Sequence, residues 1–235
     1  MDMRESDLQA LETLSTATLT TVLLKRGLRN VWLRGPRPLQ PGRRIAGPAF
    51  TLRFIPARED LTTSPILRST RNAIEAMPPG CIAVADTAGV NDVGIFGDIL
   101  CQRMQLRGVS ALVTDGAVRD ADGVVATGLP VWCNGVAAPP GFASLAFANW
   151  QEPIGCGGVA VVPGDIVVAD SDGAVIIPAG LVAEVLPAAL EQEKLEQWIS
   201  EEVRSGASLP GLYPPDEDSM RRYKAYRAAK NGSAS

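Results

Sequence analysis

The middle of the chain places a short apolar run, an amphipathic stretch and a second short apolar run in direct succession. The two apolar runs cover 81–86 and 111–114, and the amphipathic stretch covers 95–107 and is followed by Gly108. Short, continuously apolar strands are expected where both faces of a sheet are covered. The glycine is a typical helix end. This succession predicts an α/β fold in which both strands are buried.

The rest of the chain adds turns, strands and helices around this centre. The tripeptides at 163–165 and 171–173 are typical of tight turns between strands. Further strands are predicted at 45–55, 129–134, 157–162, 166–170 and 174–178, and further helices at 6–26, 63–77 and 181–205. Strands that alternate with helices first, then hairpins, then a closing helix indicate a mixed α/β sandwich with terminal helices.

Two details of this prediction leave alternatives. The first helix, with Ser6 as its N-cap, is either continuous or divided into two short helices at Ser15. Pro187 lies within the first turns of the last helix or marks its true start. We expect a single domain over 1–230 and a disordered tail at 231–235.

Length, composition and charge indicate an ordinary globular protein. The chain has 235 residues, of which 46% are apolar and 20% are charged, enough for one α/β domain with its own core. The net charge of −4 argues against a basic surface for nucleic acid. The N-terminal segment lacks the apolar core of a signal peptide, and no apolar run has the length of a membrane span. We therefore expect a cytoplasmic protein that binds neither nucleic acid nor membrane.

The absence of histidine narrows the chemistry further. Without it there is no Ser-His-Asp or Cys-His nucleophile, no histidine base and no histidine-ligated zinc or iron site. The four cysteines lack C-x-x-C spacing, and their apolar contexts favour buried thiols in a reducing compartment. None of the four lysines has an apolar context suited to a Schiff base. The groups that remain available for catalysis are carboxylates, arginines, backbone amides, water and a hard metal ion.

The first candidate segment is Gly97-Asp98-Ile99-Leu100, at the start of the predicted helix. The first amides of a helix have no partner within it, and together with the helix dipole they favour a carboxylate ligand. A glycine at this point lets a ligand approach the backbone. The alternative is simple capping, with Asp98 satisfying the first turn.

The second candidate segment runs from Thr114 to Asp120 and directly follows the buried strand at 111–114. Ligands of open α/β folds bind at the carboxyl ends of strands. Arg119 can hold a carboxylate with two parallel hydrogen bonds, and Asp120 offers a hard oxygen ligand for Mg²⁺ or Mn²⁺. The alternative is an Asp-Gly turn followed by a surface ion pair. Because one helix leads from the first segment to this one, both can face the same site.

Together the motifs Gly97-Asp98-x-Leu100, Arg107-Gly108 and Asp115-Gly116-x-x-Arg119-Asp120 resemble the 4-hydroxy-4-methyl-2-oxoglutarate aldolase family. Relatives of that family include 4-carboxy-4-hydroxy-2-oxoadipate aldolases and the proteins called regulator of ribonuclease activity A. The resemblance covers roughly 15–215. It implies a β/β/α swivelling-domain-like sandwich, a homotrimer or a hexamer of two trimers, and a divalent metal, Mg²⁺ or Mn²⁺.

The resemblance also implies roles for individual residues. Asp120 would hold the metal largely through waters, while Arg119 and the amides of Ile99 and Leu100, beside Gly97, would hold the pyruvate part. A glutamate from the C-terminal helix of a neighbouring subunit would join the metal–water shell. The candidates for it are Glu193 and Glu196, for which a solvated charged helix face is the alternative.

These features predict a lyase that releases pyruvate from a 4-hydroxy-2-oxo acid by retro-aldol cleavage, or that decarboxylates oxaloacetate. Both reactions pass through the enolate of pyruvate, whose charge a metal and Arg119 would stabilise. A water oriented by Asp98 or by the helix glutamate would act as base. The alternative function is a non-catalytic regulator that binds a ribonuclease or another protein.

Two segments depart from the compact aldolases. The first, at 52–71, is longer and more charged than expected, and the second covers 211–226. Either one shapes a pocket for a different distal group of the substrate or extends a subunit interface. Within the first segment, Arg53 is the residue predicted to bind a second substrate carboxylate.

Overall fold

One mixed sheet of eight strands forms the centre of the fold, which the computed structural model describes over residues 4–61 and 68–232. The strands are β1 (Arg37–Pro38), β2 (Ile45–Pro56), β3 (Ile82–Asp86), β4 (Ala111–Thr114), β5 (Val131–Cys133), β6 (Leu145–Trp150), β7 (Ile166–Asp170) and β8 (Gly173–Ile177). Their order is β1-β5-β4-β3-β2-β7-β8, and β6 also pairs with β2. Strands β2 to β5 are mutually parallel, and the remaining pairs are antiparallel.

The sheet is nearly closed and resembles a barrel, which confirms the predicted mixed α/β class with terminal helices. The long strand β2 makes this possible because its first part, 45–48, pairs with β7, whereas its last part, 52–56, pairs with β6. The helices are α1 (Glu5–Glu12), α2 (Thr16–Leu24), α3 (Thr70–Ala76), α4 (Asp98–Leu106), α5 (Ala121–Ala126), α6 (Val182–Arg204) and α7 (Glu217–Gly232).

The central strands are buried on both faces, as their uninterrupted apolar sequences predict. In β3, Ala83 and Ala85 belong to one apolar cluster, whereas Ile82 and Val84 belong to another. Successive side chains of a strand point to opposite faces, so the two clusters lie on opposite sides of the sheet. Helix α4 connects β3 to β4 and begins at Asp98, later than predicted, because the backbone of Ile95 is used to pair with the segment after β4.

The N-terminal part forms two short helices and not one continuous helix, which decides between the two predicted alternatives. Helix α2 begins after Ser15, whose hydroxyl accepts a hydrogen bond from the amide of Thr18 at 3.0 Å. Such a cap satisfies one of the unpaired amides of the first turn. The prediction of Ser6 as a cap is wrong, because α1 begins at Glu5 behind Arg4.

The chain divides into two compact units, Met1–Leu186 and Pro187–Ser235. The first contains the sheet. In the second, α6 and α7 enclose a small core of Trp198, Ile199, Leu212 and Tyr223. The single domain over 1–230 stays a prediction. Pro187 does not mark the start of its helix, since α6 begins at Val182.

Several predicted boundaries are wrong. The strand predicted at 157–162 is replaced by a short 3-10 turn, because Gly157 and Gly158 have φ values of 56° and 74°, which a strand cannot accommodate. Strands β1 and β6 and helices α5 and α7 were not predicted. The helix predicted at 63–77 begins at Thr70, and 62–67 lie outside the described residues. Of the predicted tail, 231 and 232 belong to α7, and the last three residues are outside the described part.

All four cysteines are buried and unpaired. Burial raises the pKa of the Cys81 and Cys101 thiols to about 12, and it also raises the pKa of Cys133 and Cys156. A thiol with such a pKa is a poor nucleophile near neutral pH. The predicted buried thiols are therefore confirmed. In the described parts of the chain, no helix is both long and apolar enough to cross a bilayer.

Candidate active site

The candidate site is formed where two stretches of backbone run side by side, one before α4 and one after β4. The amide of Ile95 donates to the carbonyl of Ala117 at 3.0 Å, and the amide of Arg119 donates to the carbonyl of Phe96 at 2.9 Å. This pairing extends the parallel arrangement of β3 and β4 beyond the strand ends. It places Gly97 next to Arg119 and Asp120.

Glycines make this close approach possible. A Cβ atom at Gly94 would lie 2.5 Å from Cβ of Arg119, and one at Gly97 would lie 2.8 Å from Oδ2 of Asp120. Contacts this short do not occur between real side chains, so any larger residue would displace the arginine or the aspartate. The glycines thus define where the two charged side chains stand.

Asp120 has an uncommon backbone conformation. Its φ of 51° and ψ of 48° lie in the left-handed region, which aspartate and asparagine tolerate better than most residues. It occupies the N-cap position of α5, but its side chain makes no capping hydrogen bond. Instead, Oδ2 accepts a hydrogen bond from Nε of Arg119 at 3.0 Å. The carboxylate therefore points toward the arginine and not toward the helix it precedes.

The ion pair between Arg119 and Asp120 contributes little to stability. The two side chains are 38% and 46% exposed, and partly solvated pairs of this kind are worth about 0 to 1 kcal/mol. Holding a non-glycine residue in the left-handed region costs about 1 kcal/mol or more. The backbone strain at Asp120 costs more free energy than the ion pair returns in stability, which points to a role in function.

The first turn of α4 forms the neighbouring wall. The amides of a first helical turn have no acceptor within the helix. In this turn the amide of Ile99 donates to Oδ1 of its neighbour Asp98 at 2.7 Å. The Asp98 side chain also packs closely against α5, where a Cβ at Gly123 would lie 2.8 Å from Cβ of Asp98. This packing fixes Asp98 between the two helices.

A buried carboxylate holds the loop after β4 in place. Asp115 accepts hydrogen bonds from the amide and the hydroxyl of Thr87 at 2.8 and 3.0 Å, and from the amides of Gly89 and Gly157 at 3.2 and 3.1 Å. Next to it, a Cβ atom at Gly116 would lie 2.6 Å from the Thr87 side chain. The Asp-Gly pair is therefore structural and anchors the segment that carries Arg119.

A cavity of about 830 Å³ opens in front of these residues. Its apolar lining includes the buried side chains of Phe54, Leu145 and Phe147. Its cationic lining consists of Arg68, Arg71 and Arg119. Asp98 and Asp120 also line the cavity, so its arginines outnumber its carboxylates by one, whereas the chain as a whole is acidic.

Comparison with known proteins assigns this chain to a family. The profile of the RraA-like family, described as Aldolase/RraA, matches residues 16–176. The chain belongs to the RraA-like family. Its fold is thus that of an RraA-like protein.

Three RraA-like relatives illustrate the range of the family. Protein DlpA of Legionella pneumophila is 31% identical over 173 residues, which are 74% of this chain but 28% of DlpA, so the chain spans little more than a quarter of that relative. A putative 4-hydroxy-4-methyl-2-oxoglutarate aldolase of Halalkalibacterium halodurans is 31% identical over 171 residues, 71% of this chain and 77% of the relative. The crystal structure of Streptomyces coelicolor RraAS2, described as an unusual member of the RNase ES inhibitor RraA protein family, is 33% identical with a TM-score of 0.77, covering 84% and 97% of the two chains.

Most of the residues selected from the sequence meet at this cavity. Its lining includes Gly97, Asp98, Ile99, Leu100, Arg119 and Asp120. Glu193 and Glu196 lie on α6 in the second compact unit. Arg53 is not part of this lining, and its Nη2 donates to the carbonyl of Pro153, so its binding of a second substrate carboxylate stays a prediction.

Arg68 and Arg71 were missed by the sequence analysis, although they belong to the charged segment at 52–71 that it singled out. No motif marks them, and their position becomes evident only once α3 is placed beside the cavity. The signal in the sequence was the excess of arginines in the segment at 52–71.

The donor set at this cavity fits a divalent ion held mainly through water. Within 4–61 and 68–232, no group of three or more cysteines and carboxylates is arranged to bind a metal. Mg²⁺ usually keeps several waters and takes one or two carboxylates from the protein. Asp120 supplies one such carboxylate, and the missing side chain at Gly97 leaves the space beside Oδ2 open.

Asp115→Asn should destabilise the protein by about 2 to 3 kcal/mol. The amide nitrogen that replaces one carboxylate oxygen turns a donor toward backbone donors, which leaves buried groups unsatisfied. Urea unfolding measures the loss. The matched control is Asp60→Asn, because Asp60 forms an exposed ion pair with Arg58 and should change stability by less than ~0.5 kcal/mol. Equal effects of the two substitutions would contradict the anchoring role of Asp115.

Proposed function

We propose that this protein is a divalent-metal-dependent lyase that releases pyruvate from a 4-hydroxy-2-oxo acid by retro-aldol cleavage or decarboxylates oxaloacetate. The observation that carries the proposal is the pairing of Arg119 with a strained, partly exposed Asp120 on the wall of a cavity that the first turn of α4 also lines. Relatives named as putative 4-hydroxy-4-methyl-2-oxoglutarate aldolases support it.

Arg119 and α4 bind the 2-oxo acid in this proposal. The guanidinium of Arg119 is held at Nε by Asp120, which leaves its other nitrogens for the substrate carboxylate. The amide of Leu100, in the first turn of α4, donates to the same part of the substrate. The amide of Ile99 already donates to Asp98, so it contributes only when that internal bond opens.

Asp120 would hold the divalent ion, Mg²⁺ or Mn²⁺, largely through waters. When bound there, the ion supplies Lewis-acid stabilisation of the charge that develops on the 2-oxo oxygen. Arg119 adds positive potential at the same point and fixes the orientation of the substrate.

A water held by Asp98 acts as the base. In the retro-aldol direction this water takes the proton of the C4 hydroxyl, the C3–C4 bond breaks, and its electron pair forms the enolate of pyruvate. The second product leaves as an aldehyde or a ketone, and the proton is then returned from the water to C3 of the enolate. Asp98 is suited to this role because its packing against Gly123 keeps the carboxylate at the cavity wall.

A regulator of ribonuclease activity is the alternative within the same family. RraAS2 is described as a member of an RNase inhibitor family. A surface that only docks a partner requires neither a left-handed Asp120 nor glycines at 94 and 97 that make room for two charged side chains. These features favour the lyase.

Oxaloacetate or a 4-hydroxy-2-oxo acid should yield pyruvate when the protein is supplied with Mg²⁺ or Mn²⁺. A coupled lactate dehydrogenase assay measures the product. Asp120→Asn and Arg119→Ala should each lower kcat/KM about a hundredfold or more while the far-UV circular dichroism and Tm stay unchanged. No turnover with either metal, or full activity of Asp120→Asn, would refute the proposed function.

Gly97→Ala should lower kcat/KM at least tenfold without unfolding the protein. The backbone of Gly97, with a φ of −115°, is open to alanine, but the new methyl group would lie 2.8 Å from Oδ2 of Asp120. Gly180→Ala is the matched control, because a Cβ there meets no atom within 4 Å. The comparison uses the same pyruvate assay, and equal activity of the two variants would show that the placement of Asp120 is not required.

The protein should assemble as a trimer or as a hexamer of two trimers. Two large apolar side chains on the cavity wall, Ile99 and Phe142, are 79% and 82% exposed in the single chain, which is typical of a surface covered by another subunit. In such an assembly Glu193 or Glu196 would come from a neighbouring subunit. Light scattering should give three or six times the mass of one chain, and a monomer would contradict this assembly.

A further inference from the structure

A cavity of about 240 Å³, lined by residues of α6 and α7, shares no lining residue with the candidate active site. All of the residues that line this helical cavity belong to the second compact unit, Pro187–Ser235. The family profile matches 16–176, so the helical cavity lies outside the part of the chain that assigns the family. Family membership therefore does not account for it.

Aromatic side chains form the apolar part of the lining. Trp198 and Tyr223 are buried, and their ring centres lie 5.6 Å apart. The hydroxyl of Tyr223 donates to Oε1 of Glu191 at 3.1 Å, and that of Tyr226 donates to Oε2 of Glu201 at 3.0 Å. Both phenol groups of α7 are thus anchored to α6, which fixes the rings on the wall of the helical cavity.

Cations form the rest of the lining together with the amide of Gln197. The guanidinium of Arg227 lies over the Tyr223 ring, 6.0 Å from its centre. The Nζ atom of Lys230 lies 5.3 Å from the centre of the Tyr226 ring and donates to its hydroxyl at 3.0 Å. Such contacts orient a cation but leave its charge in place. The cationic lining consists of Lys194, Arg227 and Lys230.

The charges around the helical cavity are unbalanced at its wall. Glu191 is a counter-ion of Arg227, but among the described residues that line the cavity none is a carboxylate. Three cations around one small space repel one another, and a bound anion would relieve this repulsion. Aromatic rings beside the cations favour a ligand that also has a flat apolar part.

The proposed subunit contact of α6 uses a different face of this helix. Glu193 and Glu196, the two candidates for reaching a neighbouring subunit, are each followed directly by a residue of the cavity lining, Lys194 and Gln197. One step along a helix is a rotation of about 100°. The helical cavity can therefore stay open when a neighbour covers the glutamates.

We propose that the helical cavity binds a small aromatic carboxylate and that this ligand holds α6 and α7 together. The ring of the ligand packs against Trp198 and Tyr223. Its carboxylate is bound by Lys194 from α6 and by Arg227 and Lys230 from α7. This site does not depend on the proposed lyase activity, because no residue of the helical cavity takes part in that reaction.

The test uses benzoate as the probe and calorimetry of the full-length protein without metal or substrate. Benzyl alcohol keeps the ring and lacks the charge, whereas cyclohexanecarboxylate keeps the charge and lacks the aromatic ring. The wild-type protein should bind benzoate at least tenfold more tightly than either compound. Equal binding of benzoate and cyclohexanecarboxylate, or of benzoate and benzyl alcohol, would contradict the proposal.

Two double variants test the cations. Lys194→Met with Lys230→Met should weaken benzoate binding at least tenfold, because the methionines keep the apolar stems and remove both charges. The matched control is Arg221→Met with Lys224→Met, which removes two exposed positive charges of α7 outside the lining and should leave the affinity unchanged within about twofold. Equal effects of the two double variants would refute the site, since net charge alone would then explain binding.

The position of bound benzoate is tested separately, because Arg119 of the candidate active site can also attract a carboxylate. Arg119→Ala should leave benzoate affinity unchanged, and benzoate should slow hydrogen exchange in α6 and α7 but not in α4. Loss of binding in Arg119→Ala, or protection confined to α4, would refute the helical site. Pyruvate release by the lysine double variant should equal that of the wild-type protein, so failure of the lyase proposal and failure of this site give different results.

Discussion

The buried carboxylate of Asp115 is the interaction on which the arrangement of the site depends. It accepts hydrogen bonds from Thr87 and Gly89 in the loop after β3 and from Gly157, so it joins two separate stretches of the chain. A buried carboxylate without donors is very costly, so these stretches must keep their positions around it. Since Asp115 directly follows β4, it also fixes the start of the loop that carries Arg119 and Asp120. Glycine at 116 is needed because Thr87 leaves no space for a side chain.

The central strands and the neighbourhood of the two motifs were predictable because local patterns determine them. The uninterrupted apolar runs of β3 and β4 reflect burial on both faces, and the glycine after α4 reflects its end. The motifs around Gly97 and Arg119 were joined by one helix, and short connections of this kind allow few arrangements.

Other elements depend on contacts that a linear pattern does not contain. Strand β6 has one polar residue, Asn149, among apolar ones and so shows no alternation, and it forms because the far end of β2 offers it a free edge. The short α5 contains a glycine, which lowers helix propensity, but that glycine makes room for Asp98. Arg53 and Arg71 look alike in the sequence. They differ because the strand register turns Arg53 toward the carbonyl of Pro153, whereas α3 places Arg71 at the cavity.

The left-handed backbone of Asp120 also bears on how such a protein can change over evolutionary time. Asparagine and glycine adopt this conformation at least as readily as aspartate, whereas branched residues do not. Both are reached from an aspartate codon by a single base change. One such change would remove the carboxylate and leave the fold intact, with equal or lower backbone strain at this position. A scaffold of this kind can lose its chemistry in one step and persist as a binding protein, which offers a simple route by which one family could contain both aldolases and inhibitors.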